Sequence, residues 1–234
     1  MGRIFCEKTD MSKVVRQPTN TFSNFIYWIS AIAILRRGWK DQSNRKRYNM
    51  ISANPFYSIA FGGILLYIFF ASTLFHSSLT KFSSTLDFSA VYSLTLFPFM
   101  YFTHRVWLLS IGLPSNARHA KSTFTVIIVF TTLYLLLTFF LPTEWRHPAV
   151  VGIILMMIVA AIIVERKDPG KTNHRYLAIC VGSILIALMW YAFDQRKLMC
   201  NPDGYIQPHS LWHVFSGISA FYFYMYIRSE KNRI

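Results

Sequence analysis

The feature that most constrains this chain is a series of long apolar stretches separated by short clusters of basic residues. Only 15% of the residues are charged, whereas a soluble domain of this length has about 25%. Because 53% of the 234 residues are hydrophobic, the sequence excludes disorder and collagen-like repeats and favours an integral membrane protein. Three cysteines without a Cys-x-x-Cys pair indicate neither a disulfide-built scaffold nor a zinc ribbon.

Seven of these stretches are long enough to cross a bilayer. A spanning helix needs about 17 to 25 mostly apolar residues, because each residue advances about 1.5 Å through a core about 30 Å thick. We therefore expect an all-α fold, a polytopic seven-transmembrane helix bundle forming one domain over residues 1–234. The predicted spans are Pro18 to Leu35, Tyr57 to Phe75, Leu86 to Phe102, Ser122 to Leu141, Pro148 to Val164, Tyr176 to Phe193 and His209 to Ile227. The apolar segment Val106 to Leu113 is too short to span, so we expect it either to continue the third helix or to lie at the interface.

The positions of the loop charges predict the orientation. Seven spans place sixteen of the 24 lysines and arginines on the side of the C-terminus and eight on the other, for net charges of about +12 and +2. By the positive-inside rule the tail at 1–17 is extracytoplasmic or lumenal and the tail at 228–234 is cytoplasmic. The basic charge therefore reflects membrane topology and contact with lipid headgroups, and nucleic acid is not expected as a partner.

Five polar residues fall at a similar depth near the extracytoplasmic ends of three spans. Ionisable groups within spans are costly and are functional candidates by default. In chain order the five are Ser72, His76, Asp87, His209 and His213.

The histidine spacing indicates a metal site. His209 and His213 are four residues apart, which places both imidazoles on one helix face, and His76 from another helix offers a third nitrogen. Three neutral imidazoles and a water form the open coordination of catalytic zinc, which lowers the pKa of the water from about 15.7 to about 7. Asp87 is then a candidate for proton transfer, and Ser72, on the same helix face as His76, for oxyanion stabilisation.

Each of these residues also has a structural interpretation. Asp87 completes a Ser84-x-x-Asp87 pattern that is typical of a helix N-cap. Ser72 is able to hydrogen-bond the carbonyl four residues earlier, as serines in apolar helices often do. Bis-histidine haem ligation is a rival for the histidines, but it leaves Asp87 and Ser72 without a role. The remaining histidines, by contrast, are expected to be interfacial or loop residues: His104, His119, His147 and His174.

The motifs resemble those of the alkaline ceramidases and of their wider superfamily of seven-helix membrane hydrolases, which includes adiponectin-type receptors. The resemblance rests on Ser72-x-x-x-His76, Asp87 and His209-x-x-x-His213, and it extends from about Cys6 to Ile227. Cys6-Glu7 and the run from Asn20 to Asn24 are similar to the ceramidase C-E and N-T-x-S-N patterns.

The resemblance implies a hydrolase acting on linear amides, which cleaves ceramide to a sphingoid base and a fatty acid. His76, His209 and His213 would bind Zn²⁺, Asp87 would work with the zinc water, and Ser72 would stabilise the oxyanion. The substrate and partners would be membrane lipids, reached from the extracytoplasmic or lumenal side. Compact loops fit either a bacterial inner membrane or an ER or Golgi membrane.

The resemblance bears on two further features. Related enzymes hold calcium near their N-terminus, but here Lys8, Arg16 and Gln17 stand in that region, so Glu7 and Asp10 would form at most a weak Ca²⁺ site. The resemblance also supports a disulfide between Cys6 and Cys200, which the predicted topology places on the oxidising side.

Two other functions remain open at this point. A sister hydrolase would cleave a lipid ester with the same zinc water, because the metal site does not distinguish amide from ester. A non-enzymatic receptor would keep zinc for structure and transmit lipid binding to the cytoplasmic loops.

Overall fold

The structure is a computed structural model that describes residues 5–43, 49–114, 119–140, 142, 145–168 and 172–230. The ends of both predicted tails, residues 1–4 and 231–234, lie outside this description. So do several basic loop residues used for the charge count, and the side chains of Arg146 and His147.

The described chain is helical and contains no strand, which confirms the all-α prediction. We number the helices in chain order. They are α1 (Pro18–Ser23), α2 (Phe25–Ser43), α3 (Met50–Ala53), α4 (Phe56–Ser78), α5 (Lys81–Ser110), α6 (Ala120–Phe140), α7 (Arg146–Lys167), α8 (His174–Gln195) and α9 (Pro208–Arg228).

Three helices in the described chain are long and apolar enough to cross a membrane. They are α4, the Pro148–Lys167 part of α7, and α8. Within the described part of α6, the stretch Lys121–Tyr134 is also apolar. These helices support a membrane protein, and the count of seven spans stays a prediction.

The first predicted span contains an interruption. Asn24 separates α1 from α2, and α2 continues to Ser43. At this point the carbonyl oxygen of Asn20 accepts hydrogen bonds from the Asn24 side-chain amide and from His213 Nδ1, so it is diverted from a regular helical ladder. The predicted span Pro18 to Leu35 is therefore divided between two helices, and its crossing of the membrane stays a prediction.

The segment after the third predicted span continues the same helix. α5 runs to Ser110, which decides between the two interpretations of Val106 to Leu113. Gly112 then adopts a φ of +69°, and the Leu113 N–H bonds the Leu108 carbonyl at 2.9 Å. A left-handed glycine with this hydrogen bond is a Schellman motif, which ends the helix.

The chain forms two compact units. The first unit comprises the described parts of Met1–Ile32, Leu65–Ala90 and His174–Met225. Within it α9 packs closely on α2, because a Cβ on Gly217 would lie 2.6 Å from Ile26 Cγ2. Next to this contact, the Tyr27 and Ser216 hydroxyls are 2.6 Å apart.

The second unit comprises the described parts of Ala33–Ile64, Val91–Asn173 and Tyr226–Ile234. Its interior contains stacked rings of Phe61 and Phe97, with centroids 4.3 Å apart. Arg105 binds Glu230 at 2.6 Å and Asp168 at 2.9 Å. Removing one partner of such a buried ion pair typically costs about 3–5 kcal/mol.

His104 corrects the expectation that the other histidines are interfacial or loop residues. It lies within α5 and is only 1% exposed. Its Nδ1 hydrogen-bonds the Tyr57 hydroxyl, and its Nε2 lies 3.2 Å from the Ser122 hydroxyl. These partners sit on other helices, so the position of His104 depends on tertiary packing.

Candidate metal centre

Three buried histidines of the first unit form a group that is suited to holding a metal ion. His76 lies in the last turn of α4, and His209 and His213 lie in the first two turns of α9. Each offers a ring nitrogen, and these nitrogens lie within 4.8 Å of one another. The ring centroids are 4.9, 5.0 and 4.7 Å apart, and none of the three residues is more than 5% exposed.

The hydrogen bond of His76 fixes which nitrogen is free. Its Nδ1 lies 2.9 Å from Gln17 Oε1. The Gln17 amide nitrogen is 3.2 Å from the Thr9 hydroxyl, which orients the amide oxygen towards the ring. Because an amide oxygen only accepts, Nδ1 carries the proton and Nε2 keeps its lone pair.

His213 is held in the same way. Its Nδ1 lies 2.8 Å from the Ser23 hydroxyl and 3.2 Å from the Asn20 carbonyl. The Ser23 hydroxyl itself donates to the Asn20 carbonyl at 2.9 Å, so both oxygens accept from the ring. The proton of His213 is therefore on Nδ1, and Nε2 keeps the lone pair that a metal would need.

The residues present fit a transition metal. His76 Nε2 is buried without a hydrogen-bond partner, and an unpaired buried nitrogen is costly unless a ligand completes it. The donor set is three imidazoles without a carboxylate, which suits zinc and related metals rather than Ca²⁺ or Mg²⁺. The group is therefore consistent with zinc.

Ser72 and Asp87 lie in the same unit as the histidines. Ser72 is buried one turn before His76 on α4, and it interacts with the Asp87 carboxyl without standard hydrogen-bond geometry. Asp87 is half-buried on α5 and interacts electrostatically with Tyr27, whose ring lies 6.3 Å from that of His213.

The structure contradicts two interpretations from the sequence: that Asp87 caps a helix, and that Ser72 hydrogen-bonds the carbonyl four residues earlier. α5 begins at Lys81, where Thr80 and Ser83 cap one another: the Ser83 N–H donates to Thr80 Oγ1 at 3.1 Å, and the Thr80 N–H to Ser83 Oγ at 3.1 Å. Asp87 follows this start by almost two turns and does not cap the helix. Ser72 Oγ makes no hydrogen bond, so it does not bond the carbonyl four residues earlier.

Glu7 and Asp10, the weak calcium candidates, have other partners. Glu7 accepts the N–H groups of Thr19 and Asn20 at 2.8 and 2.9 Å, which caps the first turn of α1. Burial raises the pKa of Glu7, with these hydrogen bonds opposing the shift, and a raised pKa weakens a carboxyl as a cation ligand. Asp10 accepts from the Ser12 hydroxyl at 2.6 Å, and hydrogen bonds from Ser12 lower its pKa. The two carboxyls therefore belong to separate networks, and a calcium site stays a prediction.

The segment from Phe5 to Gln17, which we call the N-terminal strap, contacts the histidine group. Cys6 forms a disulfide with Cys200 in the loop before α9. The Phe5 ring lies 4.9 Å from His76 and 4.3 Å from His209. The strap therefore places an aromatic ring against two of the candidate ligands, and this shields them from water.

A comparison with protein families identifies the same family that the motifs resemble. The model of the ceramidase family matches residues 4–232, nearly the whole chain. The chain belongs to the ceramidase family. No curated protein and no solved structure matches it. Membership confirms the resemblance that the serine, aspartate and histidine motifs carry.

The sequence of this ceramidase-family chain left several site contacts unassigned. Gln17 drew attention only as a departure from a calcium pattern, yet it hydrogen-bonds His76. Asp194 was not a candidate, although its carboxylate is fully buried and lies 3.8 Å from His209 Nδ1. The signal for Asp194 was available: it follows the predicted end of the sixth span, Phe193, by one residue, and so lies at the depth of the other polar candidates.

Proposed function

We propose that this chain is a zinc-dependent hydrolase that cleaves the amide bond of ceramides within the membrane, releasing a sphingoid base and a fatty acid. The observation that carries the proposal is the buried group of His76, His209 and His213 in a chain of the ceramidase family. Three neutral imidazoles are a donor set typical of catalytic zinc. Calcium is not part of the proposal, because Glu7 and Asp10 have other partners.

The contacts described above support a role for each of the chain's own residues. His76, His209 and His213 would hold the zinc, which would supply a Lewis acid and lower the pKa of a water from about 15.7 to about 7. Asp87 would be the proton carrier: its carboxylate would accept a proton from the attacking water and return it to the leaving nitrogen as the carbon–nitrogen bond breaks. Ser72 Oγ has no partner at standard hydrogen-bond geometry, and its hydroxyl would donate to the carbonyl oxygen, where negative charge develops.

The membrane setting is part of the proposal. We infer one seven-helix domain over residues 1–234 with the histidine group towards the extracytoplasmic or lumenal side. The three strongly apolar helices and the asymmetric loop charge support this arrangement. Exposed apolar side chains on α8, such as Leu185 and Leu188, suit contact with lipid chains.

The substitution Asp87→Asn tests the proposal. It removes a proton acceptor but no metal ligand, so we expect zinc content to stay at the wild-type level. Turnover should fall by about 10²–10⁴-fold, the usual contribution of a general acid–base group. The measurement is mass-spectrometric detection of sphingoid base and fatty acid released from a ceramide panel by purified protein, with zinc content determined on the same samples.

Two further variants complete the test. Ser84→Ala, on the same helix as Asp87 and outside the site, should leave turnover unchanged. His213→Ala should lose both zinc and turnover. Near wild-type activity in Asp87→Asn would remove Asp87 from the mechanism. If zinc-loaded wild type released nothing from any ceramide, a lipid ester hydrolase or a receptor would replace the proposed activity.

A further inference from the structure

The three histidines of the candidate metal centre differ in how their outer nitrogens are held. His76 Nδ1 has Gln17, and His213 Nδ1 has Ser23 and the Asn20 carbonyl. His209 Nδ1 is buried and has no hydrogen-bond partner. A metal-binding histidine almost always donates its other ring N–H to an acceptor, because this fixes the tautomer and orients the ring.

One group is placed to supply the missing acceptor. Asp194, in the last turn of α8, is 0% exposed, and its Oδ2 lies 3.8 Å from His209 Nδ1. That oxygen also has no hydrogen-bond partner, although Lys197 interacts electrostatically with both Asp194 and His209. The other carboxylate oxygen, Oδ1, accepts the Cys6 N–H at 2.8 Å.

We propose that Asp194 is a positioning residue of the metal centre, which accepts the Nδ1–H of His209 through Oδ2 when the metal is bound. The proposal rests on the metal centre described above. Two unpartnered buried polar atoms face one another, and a relative shift of about 1 Å brings them to ordinary hydrogen-bond distance. The same carboxylate then serves two donors, His209 Nδ1–H and Cys6 N–H, and so links the N-terminal strap to a metal ligand.

This double role makes Asp194→Asn an informative change. Aspartate offers two acceptor oxygens, whereas asparagine offers one acceptor and one donor. If the amide oxygen accepts from Cys6, the amide NH₂ faces His209 Nδ1 and favours the tautomer with the proton on Nε2. If the amide turns over, its NH₂ meets the Cys6 N–H instead. Asparagine therefore cannot satisfy both donors.

Zinc affinity is the quantity to measure. Metal-free full-length protein in detergent would be titrated with zinc against a chromophoric chelator. We expect Asp194→Asn to bind zinc about 10–100-fold more weakly than wild type, the usual effect of losing such an outer acceptor. Asp203→Asn is the matched control, because Asp203 is an acid of the same unit whose ion pair with Lys8, at 3.2 Å, is exposed to solvent and so contributes little. The control should match wild type.

The outcomes separate the two proposals. Equal zinc affinity in wild type and Asp194→Asn would overturn the positioning role and leave the metal centre intact. A wild type that takes up no zinc would overturn both. If Asp194 only anchors the strap, then Cys6→Ser with Cys200→Ser, which loosens the strap but keeps the carboxylate, should weaken zinc binding as much as Asp194→Asn. That result would also overturn the proposal.

A second measurement uses only the wild type and does not depend on the folding of a variant. Proton–nitrogen correlation spectra of histidine-labelled, zinc-loaded protein report imidazole N–H groups that hydrogen bonds protect from exchange. We expect three such Nδ1–H signals from the centre, one each from His76, His209 and His213. Signals from His76 and His213 alone would overturn the role of Asp194.

Discussion

At the scale of single residues, one side-chain amide decides which ring nitrogen of His76 carries the proton. Gln17 Oε1 accepts from His76 Nδ1 at 2.9 Å, and the Gln17 backbone N–H bonds the His76 carbonyl at 3.2 Å. Gln17 itself is 1% exposed, so water cannot replace it. The tautomer of a candidate ligand therefore depends on a residue 59 positions away.

We predict that Gln17→Leu weakens zinc binding. Leucine is similar in size but has no acceptor, which leaves the buried His76 Nδ1–H unpaired and frees the ring to change tautomer. The expected loss of zinc affinity is about 10–100-fold, measured by competition with a chelator. Gln17→Glu is the matched variant. Its carboxylate still accepts a hydrogen bond from the Nδ1–H of His76, so this variant should retain zinc. Leucine and glutamate variants of equal affinity would contradict the role of this hydrogen bond.

At the scale of helices, the close approach of α9 to α2 supports the arrangement of the candidate ligands. Gly217 lies one turn after His213, and the space for its Cβ is taken by Ile26 Cγ2 at 2.6 Å and Cγ1 at 2.9 Å. Both carbons belong to a β-branched side chain with little freedom to move. The glycine therefore allows a helix contact that a larger residue would prevent.

We predict that Gly217→Ala lowers the thermal stability of the purified protein. Overpacking of this kind costs about 1–3 kcal/mol, which exceeds the gain in helix propensity of about 1 kcal/mol from replacing glycine by alanine. Gly182→Ala in α8 is the control, because nothing lies within 4 Å of its added Cβ. Thermal unfolding of both variants in one detergent checks the prediction. Equal midpoints would show that Ile26 moves aside freely.

At the scale of the whole chain, the disulfide and the predicted topology depend on one another. Cys6 and Cys200 are 194 residues apart and bonded, while Cys180 is a half-buried cysteine in α8 that forms no disulfide. A structural disulfide forms in an oxidising compartment, so this bond supports the proposed extracytoplasmic or lumenal side for both cysteines. The asymmetry of loop charge independently predicts the same side for the strap and for the loop before α9.

Thiol alkylation followed by intact-mass measurement tests both features together. Protein purified from cells without reductant, then denatured, should take up one label, at Cys180. The same protein after reduction should take up three, because the chain has three cysteines. Three labels without reduction would contradict the disulfide and remove its support for the predicted orientation.

Local chemistry explains what the sequence by itself determined. Hydropathy and helical spacing depend on neighbouring residues, so the all-helical membrane character and the paired faces of His209 and His213 could be predicted directly. Motif residues at matched depth also indicated His76, Ser72 and Asp87, and the family match confirms the resemblance that they carry.

Contacts between distant parts of the chain were decided only by the tertiary structure. Periodicity gave no reason for Gln17 to meet His76 or for Asp194 to face His209, because each pair joins segments that pack together only in the folded chain. At the interruption before Asn24, the Asn20 carbonyl accepts a hydrogen bond from His213, 193 residues away. His104 likewise becomes buried through partners on other helices. A single sequence specifies the candidate ligands, whereas packing selects the neighbours that hold them.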